Sequence, residues 1–232
     1  MTGYRGVVIR DVTHSIFSAI YFDADYYFGS LRKWCGVWTG GYAWAKDGHR
    51  LNTGMQKEPY IKEQYAVLRE NAMLKKSAYI KGQYPDKEYL EIYDKAETAL
   101  ENAGIAPAAD RDVQLAQRLD IGFIKSRRRN NAEVFRTAFQ DWLIFKDMRD
   151  TDCPLFVPVL VTNGKRDRLR RYLIENEIYC PVHWTISEYH RLDEQEQFLY
   201  INELSIVCGQ RYLEGDMQRM VETINKFWKG AR

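Results

Sequence analysis

The chain has 232 residues, of which 45% are hydrophobic and 28% are charged. This composition excludes a disordered chain and allows one large domain or two small ones. Lysine and arginine number 34 against 32 acidic residues, so the net charge of +2 gives no global reason to expect binding to nucleic acid or to a membrane.

The four cysteines are scattered and form no CxxC pair: Cys35, Cys153, Cys180 and Cys208. This pattern argues against a zinc site or a disulfide framework, so no metal site is predicted. The first ten residues are polar and lack the apolar core of a signal peptide, and no apolar run is as long as a membrane span. We therefore expect a cytoplasmic protein.

Three short strands are predicted at the start of the chain, at residues 6–9, 26–28 and 42–45. A short helix is expected between the first two strands, and a loop containing Lys33 follows the second. From Lys57 the apolar period becomes helical. One helix ends near Gly82 and Pro85, and a second, capped by Asp86, ends at Gly104.

Residues 105–110, which include Pro107, indicate a joint. Helices are predicted at 112–119 and 123–139, and then a strand at 155–161, a helix at 167–175 and a strand at 178–182. A polar helix at 193–200, a strand at 204–207 and a final helix with one apolar face complete the pattern. Met217 and Met220 belong to that face as core residues. We divide the chain into an α/β domain at 1–110 and a small α/β domain at 111–232.

Asp11 and Lys33 each follow a predicted strand, where an open α/β sheet presents a cofactor. A lysine that binds an aldehyde cofactor and an acid opposite a pyridine nitrogen are the two groups that pyridoxal phosphate needs. Arg32 and an apolar wall from Trp34 and Trp38 would lower the pKa of the Lys33 amine. The alternatives are a solvated loop lysine and an aspartate that caps a helix or stabilises a turn.

Two further residues are candidates for the same site. His14 would stack on the cofactor ring or reach its phenolic oxygen, unless it is a core or capping histidine. The Ser30 hydroxyl would bond a phosphate oxygen. Gly40 and Gly41 either let the backbone approach closely or form an ordinary hairpin turn.

Other basic residues have weaker functional interpretations. The run Arg127 to Arg129 would bind phosphate or nucleic acid, although a solvated helix face fits the balanced charge better. His183, which precedes Trp184, and Arg211 lie at or after strands of the second domain. Either would face a substrate carboxylate or phosphate.

These motifs resemble fold type I pyridoxal-phosphate enzymes, most closely the DegT/DnrJ-like branch of sugar aminotransferases. Asp11 and His14 resemble the Asp-x-x-(His/Gln) element of that family, and Ser30 to Lys33 resembles its Ser-x-x-Lys element. The segments 169–173, 178–184 and 210–217 resemble its small domain. The resemblance implies pyridoxal phosphate as cofactor and a partial large domain, with a mostly parallel sheet and helices, followed by the small domain.

Family members have a long N-terminal half before the Asp element, which holds the phosphate-binding turn. The sequence therefore resembles the C-terminal portion of such an enzyme. The implied function is transfer of an amino group from an amino acid to a keto acceptor such as a keto sugar nucleotide. The implied partners are these small molecules, with a homodimer or pairing with an N-terminal half, and neither nucleic acid nor membrane.

Two other functions stay open. One is a catalytically incomplete remnant that acts as an interaction or dimerisation module. The other is a pyridoxal-phosphate lyase of the same fold, because fold does not settle reaction type. On its own the chain is expected to bind the cofactor weakly, since no glycine turn with a helix N-terminus precedes Asp11.

Overall fold

The computed structural model describes residues 6–19, 23–52, 64–103, 106–183 and 186–230. The described residues form seven α-helices and five β-strands, so the protein is of the α/β class, as predicted. None of the described helices combines the length and the apolar composition needed to cross a membrane. Lys57, Gly104, Ile105 and Trp184, which entered the predictions above, lie outside the described residues.

The chain divides into two compact units. The first contains residues Met1–Ile16 and Tyr21–Leu119, and the second contains Phe17–Ile20 and Asp120–Arg232. The division thus lies nine residues beyond the boundary predicted at 110. The buried Asp112 accounts for the difference, because its carboxylate accepts hydrogen bonds from the Trp38 and Thr39 backbone and holds its helix to the first unit.

A three-stranded sheet opens the first unit. β1 (Ile9–Asp11) is parallel to β2 (Tyr26–Ser30), and β3 (Gly41–Ala45) is antiparallel to β2. The sheet is therefore mixed in its described part, where a mostly parallel sheet was predicted. The first strand lies later than predicted, so that Asp11 is its last residue. Residues 13–17 form turns, not the predicted short helix.

Helices α1 (Gln64–Ile80), α2 (Tyr89–Glu101) and α3 (Asp110–Gln117) complete the first unit. α1 and α2 pack together through small residues, since Ala72 and Ala96 are both fully buried. α2 begins at Tyr89 with Glu88 as its N-cap residue, so Asp86 is not the cap that the sequence predicted.

The second unit packs its helices around a two-stranded sheet. β4 (Phe156–Leu160) and β5 (Glu203–Val207) are antiparallel, and the helices are α4 (Ile121–Ala138), α5 (Arg166–Glu175), α6 (Glu194–Asn202) and α7 (Glu214–Gly230). The predicted apolar face of the last helix is buried, with Met217, Met220 and Ile224 in the core. Apolar burial of this kind is the main source of stability for such a unit.

The strand predicted at 178–182 does not form. The Ser205 N–H donates to the Pro181 carbonyl, a contact of this segment with β5 that resembles a ladder bond. Pro181 has no N–H with which to continue a ladder, so the segment runs beside β5 without joining the sheet.

Candidate active site

The parallel pairing of β1 and β2 brings the predicted site residues to one edge of the sheet. Asp11 ends β1 in register with Phe28, and Ser30 ends β2 two residues later. The alternation of side chains along a strand puts Asp11, Phe28 and Ser30 on the same face of the sheet. Ideal sheet geometry places the Cα atoms of Asp11 and Ser30 about 8 Å apart.

Thr13 connects the two loops that leave this edge. Its N–H donates to Asp11 Oδ1 at 2.8 Å, and its Oγ1 accepts the Ser30 N–H at 3.2 Å. Its carbonyl accepts the indole N–H of Trp34 at 2.6 Å. The loop after β1 is therefore fixed to the loop after β2 on both sides of Lys33.

Lys33 lies in a short 3-10 turn, Leu31–Lys33, that directly follows β2. The Leu31 N–H donates to the Gly40 carbonyl at 2.8 Å, which closes the loop before β3 begins. Gly40 has a φ of 124°, a conformation that disfavours any other residue. The loop thus presents Lys33 as an exposed side chain on a backbone held at both ends.

Three polar groups at this edge have hydrogen-bonding capacity to spare. Within the described residues, Asp11 Oδ2, Ser30 Oγ and Lys33 Nζ make no hydrogen bond to the protein. A carboxylate, a hydroxyl and an amine are therefore open to a ligand at the ends of adjacent strands. His14, in the same loop as Asp11, is also exposed.

Tyr42 lies near this edge, on the face of the sheet opposite to Asp11 and Ser30, and was not predicted from the sequence. It pairs with Gly29 on β2, where a Cβ atom would come within 2.9 Å of the Tyr42 hydroxyl oxygen. Burial, and secondly the negative charge of Asp11, raise the pKa of Tyr42 to about 12. The phenol is therefore a hydrogen-bond donor at neutral pH. Finding it required the β2–β3 register, which the sequence pattern does not supply.

The predicted surroundings of Lys33 need correction. Arg32 does not lie free beside Lys33, since its guanidinium pairs with Glu97 on α2 at 3.3 Å. Trp34 is buried, 2% exposed, and packs beneath the loop. The Trp38 ring is covered by the Arg111 guanidinium at 3.9 Å. Neither ring forms the open apolar wall that was expected.

The remaining candidates belong to the second unit. His183 is half-buried, with its Nδ1 2.8 Å from Ser205 Oγ and its ring 4.8 Å from that of Phe156. Arg211 is exposed, and its Nη2 donates to the Tyr212 hydroxyl at 2.8 Å. Their predicted contact with substrate stays a prediction.

Arg128, the middle residue of the basic run on α4, has a structural role. Arg128 is buried and donates to the carbonyls of Pro154 and Leu155 and to the Gln210 side chain. Burial lowers the pKa of the Arg128 guanidinium. The expectation of a solvated helix face is therefore wrong for Arg128.

Solved structures of aminotransferases have a fold similar to that of this chain. Neither a protein-family model nor a curated protein sequence matches the chain. Among solved structures, it is similar to PseC of Helicobacter pylori, an aminotransferase involved in the biosynthesis of pseudoaminic acid, with a TM-score of 0.61 and 13% identity. It is also similar to the sugar aminotransferase CalS13 of Micromonospora echinospora, with a TM-score of 0.52 and 14% identity. A DegT DnrJ EryC1 StrS aminotransferase of Brucella abortus gives a TM-score of 0.53 at 12% identity.

The alignments cover nearly all of this chain but only part of each matched structure. The alignments cover 96% of this chain and 59% of PseC and of CalS13, and 94% of this chain and 56% of the Brucella protein. The chain thus spans less than two thirds of the length of these structures. The similarity confirms the predicted resemblance at the level of fold: the described residues adopt part of the DegT/DnrJ-type aminotransferase fold.

Proposed function

We propose that this chain provides the lysine-bearing part of a pyridoxal-phosphate-dependent aminotransferase. The reaction moves an amino group from an amino-acid donor to a keto acceptor, for which we propose a keto sugar nucleotide. The observation that carries the proposal is the placement of Asp11, Ser30 and Lys33 at one edge of the sheet, joined through Thr13. The fold shared with sugar aminotransferases supports both the cofactor and the acceptor class.

The residues at this edge fit the chemical groups of the cofactor. When bound, pyridoxal phosphate supplies an electron sink through its pyridine ring. Asp11 has one carboxylate oxygen open to hold a proton on the pyridine nitrogen, and the Ser30 hydroxyl is open to a phosphate oxygen. Lys33 would provide the amine that holds the aldehyde carbon, and His14 would stack on the ring or reach its phenolic oxygen.

His183 and Arg211 take the substrate in this proposal. The Arg211 guanidinium is exposed, and its planar fork suits a carboxylate or phosphate. A cytoplasmic location and a homodimer, or pairing with an N-terminal half, complete the proposal.

Borohydride trapping tests the assignment of Lys33. Amine and aldehyde condense with loss of water, and borohydride reduces the resulting carbon–nitrogen double bond to a stable adduct that mass spectrometry locates. Lys33→Ala is expected to abolish the adduct and keep the fold, because Lys33 is exposed. Lys46→Ala, at another exposed lysine of the first unit, is the matched control and should keep it. Trapping at Lys46 in the unaltered chain would contradict the assignment.

The same preparation separates the alternatives. A colourless protein that ignores added cofactor would identify an interaction module. A yellow protein that releases a keto product without aminating an acceptor would identify a lyase. Transfer of the amino group to the acceptor supports the proposed reaction.

A further inference from the structure

Two arginines of the first unit converge on one carboxylate oxygen beside the lysine loop. Arg32, in the turn that carries Lys33, places its Nη1 3.3 Å from Glu97 Oε1. Arg69 on α1 bonds the same oxygen through its own Nη1. The loop, α1 and α2 therefore meet at a single atom of Glu97.

Positive charge exceeds negative charge at this point. Arg32 and Arg69 together carry two cations against the one carboxylate of Glu97, and no other carboxylate among the described residues pairs with either arginine. On its other side Arg69 faces the Tyr93 ring, whose centroid is 5.6 Å away, and Lys76 lies 5.8 Å from the same centroid. Burial and the charge of Arg32 lower the pKa of Arg69.

The donors of the two guanidiniums are underused. Each guanidinium has five N–H groups. Within the described residues, Arg32 and Arg69 each donate one hydrogen bond, both to Glu97 Oε1. The Nε of Arg69 is buried and has no acceptor there. A buried donor without an acceptor is costly, so the arrangement favours a ligand richer in oxygen than one carboxylate.

Glu97 is the movable member of the group. Its side chain is 51% exposed, whereas those of Arg32 and Arg69 are 24% and 11% exposed. Rotation of the Glu97 side chain toward solvent would uncover both guanidiniums and leave them fixed by their own burial. A tetrahedral phosphate has enough oxygens to accept from both arginines at once.

We propose that Arg32 and Arg69 form a binding site for a phosphate or diphosphate group, and that the anion displaces the Glu97 carboxylate from them. The site requires no covalent bond to Lys33 and stands apart from the proposed aminotransferase function. Its place on the turn that carries Lys33 links occupancy to the conformation of the lysine loop.

Calorimetric titration of the full chain with inorganic phosphate and with pyrophosphate tests the site. Arg32→Gln and Arg69→Met are each expected to weaken binding about tenfold or more, since each removes a charge-assisted contact. Glu97→Gln is expected to tighten it, because the competing charge is gone. That gain cannot come from a misfolded variant, so it covers the case in which Arg69→Met fails to fold.

A neighbouring ion pair provides matched controls. Arg111 and Glu70 form a pair of similar geometry, 3.4 Å apart, elsewhere in the same unit. Arg111→Gln and Glu70→Gln should leave anion affinity unchanged. No measurable binding of either anion, equal losses in Arg32→Gln and Arg111→Gln, or weaker binding by Glu97→Gln would each overturn the proposal.

Titration with pyridoxal phosphate in the Lys33→Ala background identifies the source of the phosphate. Competition with pyrophosphate there assigns the cofactor's phosphate to the arginine site, and simultaneous binding assigns the site to a separate phosphate ligand. Either result supports an anion-binding site at Arg32 and Arg69. Failure of the borohydride test would contradict the assignment of Lys33 and would not contradict this site.

Discussion

Thr13 holds the candidate active site together through three of its atoms. The backbone N–H fixes Asp11, the hydroxyl oxygen accepts from Ser30, and the carbonyl oxygen accepts from Trp34. A threonine can make all three of these hydrogen bonds, whereas a residue without a side-chain oxygen can make only the two that use the backbone. Its hydroxyl therefore controls how closely the Ser30 end of β2 stays with the loop after β1.

Thr13→Val tests this role, because valine keeps the shape and removes the hydroxyl. The Ser30 N–H then loses its acceptor, so we expect a loss of about 1 kcal/mol in the free energy of unfolding and slower borohydride trapping at Lys33. Denaturant unfolding and timed trapping measure the two effects. Thr98→Val, on the exposed face of α2, is the control. Unchanged trapping would show that Thr13 contributes stability alone.

Asp11→Asn separates the electronic role of Asp11 from cofactor binding. The amide oxygen still accepts the Thr13 N–H, but it cannot hold a positive charge on the pyridine nitrogen. We expect cofactor binding to change little and amino transfer in the loaded protein to slow at least about tenfold. Absorbance titration and single-turnover kinetics measure the two quantities. Equal rates would show that Asp11 only stabilises its turn.

The sequence predicts Asp11, Ser30 and Lys33 as neighbours because each follows an apolar run, and the ends of parallel strands share an edge. It does not predict Thr13 or Tyr42. The role of Thr13 depends on the pairing of two loops 17 residues apart, and that of Tyr42 depends on the pairing of β2 with β3. Neither pairing leaves a periodic signal in the sequence.

α3 is attached to the sheet unit by a buried carboxylate. Asp112, 2% exposed, accepts hydrogen bonds from the Trp38 N–H, the Thr39 N–H and the Thr39 hydroxyl at 2.7 to 3.2 Å. The Thr39 hydroxyl oxygen in turn accepts the Ala109 N–H. The helix is thereby fixed to the end of the lysine loop, so its effect on the site is indirect.

Asp112→Ala should therefore destabilise the first unit. Three donors lose their acceptor inside the protein, for which we expect a loss of about 3 kcal/mol in the free energy of unfolding. Denaturant unfolding measures the loss. Asp110→Ala, at the exposed start of the same helix, should cost less than about 1 kcal/mol. Similar losses in both variants would contradict the anchoring role of Asp112.

Glu203, the first residue of β5, makes the stability of the protein depend on pH. Burial raises the pKa of Glu203 above its ordinary value of 4.5, although the Ser205 hydroxyl donates to it. The folded protein then holds this proton to a higher pH than the unfolded chain does. Its contribution to stability is therefore complete below pH 4.5 and is lost as the pH rises through the raised pKa.

Glu203→Gln should remove this dependence. The stability of the unaltered protein relative to the variant is expected to fall between about pH 4 and pH 7, because only the glutamate must ionise in a buried place. Urea midpoints at both pH values measure the difference. Glu222→Gln, on the exposed side of α7, should follow the unaltered protein. Parallel curves for the unaltered protein and Glu203→Gln would contradict the assignment.

At the scale of elements the sequence is most informative where the apolar period is regular. β4, β5 and the four helices of the second unit begin and end within three residues of their predicted limits where limits were predicted. The prediction failed at residues 178–182, where apolar residues meet a proline that cannot donate to the ladder. The period shows which residues are buried, but it does not show which backbone donors are missing.

At the scale of the molecule, the sheet of the first unit leaves one face open within the described residues. Ile9 and Phe28 share the face that carries Asp11 and Ser30, and they are 65% and 45% exposed. The opposite face is packed, with Tyr27 buried and stacked on Trp44 at 4.6 Å. Apolar residues that stand open on a sheet face indicate a surface that another polypeptide covers.

We therefore predict that the chain self-associates through this face. Sedimentation velocity across micromolar concentrations should show a dimer or larger species. Ile9→Thr with Phe28→Thr should shift the population toward monomer, because threonine keeps the strand propensity and removes the apolar surface. Phe145→Thr with Leu213→Thr, which remove exposed apolar side chains from the second unit, is the matched control. A monomer at every concentration would contradict the prediction, and an equal shift in both double variants would show that association is not specific to the sheet.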